Sequence, residues 1–225
     1  MDNLQITIPA ESSDAHIMIT RNGNSNRKNV SLDDLIGALT SGYQISTGIL
    51  PTGTKLFAGT RSAYKILIEV PGKVREILIG RNESDLRSHV VPFPRTAFVF
   101  NVKNNRAVST HVYALANPIS TLQDSLYVFP FGNVYDSNSS VCWGGVSLPE
   151  VREPINLSSI INLFFQSNFN GDLITSRTVT FDINRGGNYN GLEFVASQVA
   201  FQESFDTSYL TVINNCTLEN LFSTH

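Results

Sequence analysis

The sequence predicts an α+β fold, an antiparallel β-meander packed on helices, preceded by a β-rich N-terminal segment. Three observations carry this expectation. Short runs rich in β-branched and aromatic residues, at 64–70, 96–102, 107–115 and 126–129, recur through the middle of the chain, each bounded by turn formers. Two other stretches repeat apolar residues at helical spacing, one around residue 35 and one over residues 160–165. With 225 residues, 41% of them hydrophobic and 16% charged, the chain is large enough to bury a sizeable core. Residues 1–60 are expected to form the N-terminal segment with one short helix, and residues 61–225 the main domain with a C-terminal extension.

Taken in order, residues 4–8 and 16–20 alternate or run apolar as short strands, and the polar stretch 21–26 turns the chain after the second. Ser31 then caps a helix whose positive end carries Asp33 and Asp34, with Leu32, Leu35, Ile36 and Leu39 on its apolar side and Gly42 at its end. Leu50-Pro51-Thr52-Gly53 is turn chemistry. Residues 64–70 and 74–79 flank Pro71-Gly72-Lys73 and read as a hairpin. The charged run 81–89 reads as solvated surface, and Pro92 and Pro94 exclude residues 90–95 from a central strand. Strands at 96–102 and 107–115 are joined by the turn 103–106, and residues 126–129 continue the sheet. Asn156, Ser158 and Ser159 offer caps for a buried helix carrying Ile160, Ile161, Leu163, Phe164 and Phe165. A strand at 178–183, a Gly/Asn loop at 185–191, a helix at 192–202, a weak strand or helix at 209–213 and a fraying tail complete the chain.

Composition excludes several classes of function. A formal net charge of −3 without a basic stripe argues against nucleic acid as the partner. The first residues lack the basic and apolar regions of a signal peptide, and no apolar run approaches the ~18 residues of a membrane helix, so a cytoplasmic protein without membrane partners is expected. His16, His89, His111 and His225 are scattered, which gives no metal site. The stretch GGNYNG is not a phosphate-binding loop, and neither a GxSxG elbow nor HExxH is present, so no cofactor and no ordinary hydrolase chemistry is expected. Cys142 and Cys216 lie far apart and outside any CxxC spacing, and read as unrelated thiols.

Cys142 follows a loop dense in small polar residues, Asn133, Asp136, Ser137, Asn138, Ser139 and Ser140. Two readings stand side by side on these residues alone. An isolated cysteine is commonly a small buried hydrophobe. A cysteine at a loop end, partly exposed and near backbone N–H groups and amides, is instead placed for a thiolate nucleophile.

The run Phe131-Gly132-Asn133-Val134-Tyr135, a short polar loop, then Ser140-Val141-Cys142-Trp143 resembles the active-site segment of ubiquitin-conjugating enzymes. There, His-Pro-Asn-Val-Tyr, a small-residue loop and Gly-x-Val-Cys-Leu follow the last strand of a four-stranded meander. Phe131-Gly132 stands where that family has His-Pro. A closer resemblance is to the bacterial branch called prokaryotic conjugating-enzyme family D, which includes protein B of the PRTRC mobile-element systems. It rests on the capped helix after Ser31, Leu50-Pro51, Pro92-Phe93-Pro94, Asn133-Val134-Tyr135, Val141-Cys142-Trp143-Gly144 and the helix leading to Ser167 and Phe169.

The resemblance implies a ubiquitin-conjugating-enzyme-like domain whose Cys142 accepts a ubiquitin-like protein from an adenylating activating enzyme as a thioester and passes it to an amine. It implies a bacterial mobile-element or antiphage setting, with a JAB-type protease in the same operon. Asn133 is then either the donor to the oxyanion or a turn-stabilising residue, and Asp136 or Asp172 the acid beside the incoming amine. Trp143 shields the thioester or fills the core, and Cys216 is structural or incidental. A catalytically inactive module that binds a ubiquitin-like protein or its activating enzyme, and a structural subunit of a phage or mobile element, are the competing readings.

Overall fold

The structure, a computed structural model, describes residues 3–9, 13–40, 47–60, 62–174, 196 and 202–222. The chain divides into two compact units, residues 1–46 and 47–225.

The first unit is an antiparallel sheet of β1 (Asn3–Thr7), β2 (Asp14–Arg21) and β3 (Asn24–Ser31), followed by α1 (Leu32–Thr40). Of the stretch 21–26 expected as a polar turn, Arg21 belongs to β2 and residues 24–26 to the third strand. Only Asn22 and Gly23 turn, both with positive φ, the geometry that joins twisted strands through two residues. β3 carries no apolar alternation because its side chains are almost all exposed. Ser31 caps α1 as expected, its Oγ accepting the Asp34 N–H at 3.0 Å. Among the described residues of this unit, Ala15 and Leu35 are buried and apolar.

The second unit is built on a six-stranded antiparallel sheet in the order β11-β10-β9-β8-β5-β4. Its strands are β4 (Thr54–Gly59), β5 (Ala63–Val70), β8 (Arg95–Lys103), β9 (Arg106–Leu115), β10 (Ser125–Tyr127) and β11 (Val212–Thr217). β6 (Lys73–Ile79) and β7 (Arg87–Phe93) pair separately as a ribbon. The hairpin expected across Pro71-Gly72-Lys73 therefore does not form. Both edges of β5 are occupied, by β4 and β8, so β6 turns away and takes β7, whose Pro92 is tolerated in a two-stranded ribbon. β8 and β9 pair along their length as expected, through Asn104 and Asn105 at φ +49° and +61°.

Alternation along the central strands sends side chains to two faces. Ile66, Ile68, Phe98, Phe100, Val112 and Ala114 meet α2 (Leu157–Gln166), which buries Leu157, Ile160, Ile161, Phe164 and Phe165. We call this the front face. Leu67, Ala97, Val99, Tyr113 and Leu115 form the back face with Leu126 and Leu218. Within the tail expected to fray, the described residues include α3 (Leu218–Phe222), anchored by the buried Leu218. The fold is thus mostly antiparallel sheet with few helices. The strand, loop and helix expected between 178 and 202 lie outside the described residues, Ala196 and Gln202 apart. No helix among the described residues is long and apolar enough to cross a membrane.

Candidate functional site

After β10 the chain drops two aromatic side chains, Phe129 and Phe131, into the front core. The Phe131 ring stacks on Phe93 with centroids 4.2 Å apart. Gly132 follows because the backbone passes so close to the turn after α2 that a Cβ there would lie 2.0 Å from the Asn170 carbonyl oxygen. Phe-Gly thus makes a tight crossing of two backbones over an aromatic floor.

The next ten residues fold into a small hairpin. Val134 pairs with Val141, the Tyr135 N–H donates to Ser140 O at 2.9 Å, and the Cys142 N–H donates to Asn133 O at 2.8 Å. The hairpin is fastened to β9. β10 pairs with β9 only at Tyr127 and Ala114, which leaves the β9 edge free at 110–112. There the Val112 N–H donates to Ser139 O at 2.8 Å, the Val141 N–H to Thr110 O at 2.9 Å, and His111 Nδ1 to Asn138 O at 3.1 Å. Asn138 Oδ1 accepts from the backbone and hydroxyl of Ser140, the local bonding expected of small polar loop residues.

Cys142 therefore emerges from a fixed backbone, and it is half-buried. It lines a cleft of ≈ 690 Å³ together with Asn133, Trp143, Phe164, Ser167 and Asp172. Trp143 meets Phe164 edge-on at 6.2 Å between centroids, so its ring continues the front core to the cleft wall. Asp172 is ion-paired with Arg81, and both residues line the cleft. Asp136 sits half-buried in the hairpin turn and is not among the cleft-lining residues.

Asn133 lines the cleft with its amide committed. Its Nδ2 donates to Asn168 O at 2.8 Å and to Ser167 Oγ at 3.2 Å, which ties the hairpin to the end of α2. Its backbone is left-handed, at φ +67°. The Tyr135 hydroxyl, by contrast, donates to Cys142 Sγ across 3.6 Å. That bond, and next the charge of the cysteine, push the Tyr135 phenol above its ordinary range. Tyr135 has no chemical role in the sequence reading, although pairing parity offers one signal. In a hairpin with Val134 opposite Val141, residues 133, 135, 140 and 142 share a face, and diagonal neighbours lie within reach of an aromatic side chain. The positive φ at Asn133 takes that residue out of the alternation.

Cys216 lies on β11 against the back-face core, and burial raises its thiol pKa. Both cysteines are free. Among the described residues no three His, Cys, Asp or Glu side chains converge as metal ligands.

A family model described as prokaryotic E2 family D matches residues 34–212, well over half of the chain. Comparison with curated proteins and with solved structures found no match.

Proposed function

Because the chain belongs to prokaryotic E2 family D, a family of conjugating-enzyme-like modules, we propose that Cys142 carries a ubiquitin-like protein as a thioester. Cys142 takes it from an adenylating activating enzyme and passes it to an amine. One observation carries this reading: the matched family's span includes Cys142, and that thiol stands half-buried in an open cleft on a hairpin fastened to β9 by main-chain bonds. A thiolate attacks an acyl carbon readily and leaves again readily, so a cysteine on a fixed backbone suits two successive acyl transfers.

Within this reading Asn133 is a positioning residue that holds the hairpin to α2. Service as an oxyanion donor requires its amide to leave Ser167 and Asn168. Asp172, in the cleft and paired with Arg81, is the acid we assign to meeting the amine, with Asp136 on the hairpin turn as the alternative. The prokaryotic family supports a bacterial setting, and we place the pathway in a mobile-element or antiphage system. Neighbouring genes for an adenylating enzyme, a β-grasp protein and a JAB-type protease are the expected context.

Reconstitution with the activating enzyme and ubiquitin-like protein encoded beside it tests the reading. A thiol-sensitive adduct is expected on the natural chain and absent from Cys142→Ala. A second reading, a module that binds a ubiquitin-like protein without carrying it, is favoured by the engaged Asn133 amide. Tight binding with no adduct in the same reconstitution would establish it instead.

A further inference from the structure

Attack on a thioester turns the carbonyl oxygen into an oxyanion, and an active site needs a donor about 3 Å from where that oxygen comes to lie. Asn133 has no free amide hydrogen for the task, since both are donated to Ser167 and Asn168. The Tyr135 hydroxyl already donates to the sulfur, at 3.6 Å. In a thioester on Cys142 the carbonyl oxygen is two bonds from sulfur, so a donor that touches sulfur reaches that oxygen by a small rotation of the side chain.

We propose that Tyr135 is the oxyanion donor of this site, its phenol bonding the carbonyl oxygen of a thioester on Cys142 while an amine attacks. The proposal rests on the reading of Cys142 as an acyl carrier. The Tyr135 backbone is held by Ser139 and Ser140, whereas its side chain is 41% exposed and free to follow the oxygen. Packing does not account for the residue, because its ring lies outside both core clusters. A phenol ordinarily titrates at about 10, so Tyr135 is protonated, and hence a donor, at neutral pH whether or not Cys142 is acylated.

The step balances within the site and solvent. The neutral amine forms the N–C bond as the carbonyl π pair moves onto oxygen, where the Tyr135 O–H accepts none of the charge covalently but hydrogen-bonds it. Collapse restores C=O, breaks C–S and releases the electron pair on Sγ as thiolate. The surplus proton on nitrogen passes to water, and Tyr135 returns to the sulfur.

The test uses the full chain in a Cys216→Ala background and, as probe, a short peptide ending in Gly-Gly as an alkyl thioester. Thiol exchange loads Cys142, and intact-mass spectrometry follows loading and then discharge onto free lysine. Tyr135→Phe is expected to load, to keep its melting temperature, and to discharge about 100- to 1000-fold more slowly. Discharge at the unsubstituted rate overturns the proposal while leaving Cys142 as a carrier. Failure of Cys142 to load in the parent chain defeats the carrier reading, and Tyr135 loses its role with it.

Discussion

The two faces of the six-stranded sheet are closed by different means. The front face is aromatic: Phe93, Phe98, Phe129, Phe131, Phe164, Phe165 and Phe169 contact one another through stacked, tilted and edge-on pairs. The back face is smaller and mainly aliphatic, capped by Leu218, with Glu69 beyond it holding Arg95, Lys55 and the Ile119 N–H. Large flat rings fill the front without loose rotamers, and the Cys142 hairpin and the turn after α2 both rest on that floor. The back face meets the hairpin at one place, where the Tyr113 side chain hydrogen-bonds the buried Ser139.

Phe164→Ala should test that division most severely. Phe164 is fully buried, touches Phe98, Phe129, Phe169 and Trp143, and also lines the Cys142 cleft. A loss of about 3–5 kcal/mol in urea unfolding is expected, together with slower acyl loading of the protein that remains folded. Normal loading at the reduced stability would show that the floor does not support the hairpin.

Glu69→Gln is the matching test on the back face. Glu69 is 5% exposed, and burial alone would raise its pKa. The Ile119 N–H, then Arg95 and Lys55, more than offset burial, and the net shift is downward. A carboxyl with a lowered folded pKa contributes stability that is fully present above its unfolded value, about 4.3, and lost as pH falls through the folded value. The parent chain should therefore weaken below about pH 4, and the Gln variant should lack that part of the pH dependence. Removing the charge leaves Arg95 and Lys55 short of their partner and should cost about 3 kcal/mol at pH 7, with loading of Cys142 unchanged.

Gly132→Ala is expected to be smaller in stability and larger in function. The added methyl must displace the Asn170 carbonyl, at a cost of about 1–3 kcal/mol. It should also part Asn133 from Ser167 and Asn168, and so slow acyl transfer beyond what the lost stability explains. Equal stability and transfer would mean that the close crossing is incidental.

Much of the front face was legible in the sequence. β8 and the second half of β9 announce themselves because burial on both sides forces apolar runs bounded by turn residues, and α2 because its buried face repeats large apolar residues at helical spacing while Ser159, Asn162 and Gln166 stay exposed. β3 was not, since an exposed edge strand of Asn, Ser, Arg and Lys carries no apolar period. The 64–79 segment misled for a different reason: two good strands around Pro-Gly look like a hairpin, and only the sheet order shows that β5 has no free edge. At the site, the motif located Cys142, Asn133 and Tyr135 together. It did not separate their roles, because that depends on a left-handed backbone at Asn133 and on which acceptors its amide meets, both set by the turn after α2 some 35 residues on.

Carriage on Cys142 is decided by where the acyl group is held. Peptide mapping of the charged protein, before and after thiol treatment, answers this. The ubiquitin-like mass should sit on the peptide containing Cys142 and disappear with thiol. A stable adduct on lysine, a thioester on Cys216, or complex formation with no covalent mass at all would contradict it.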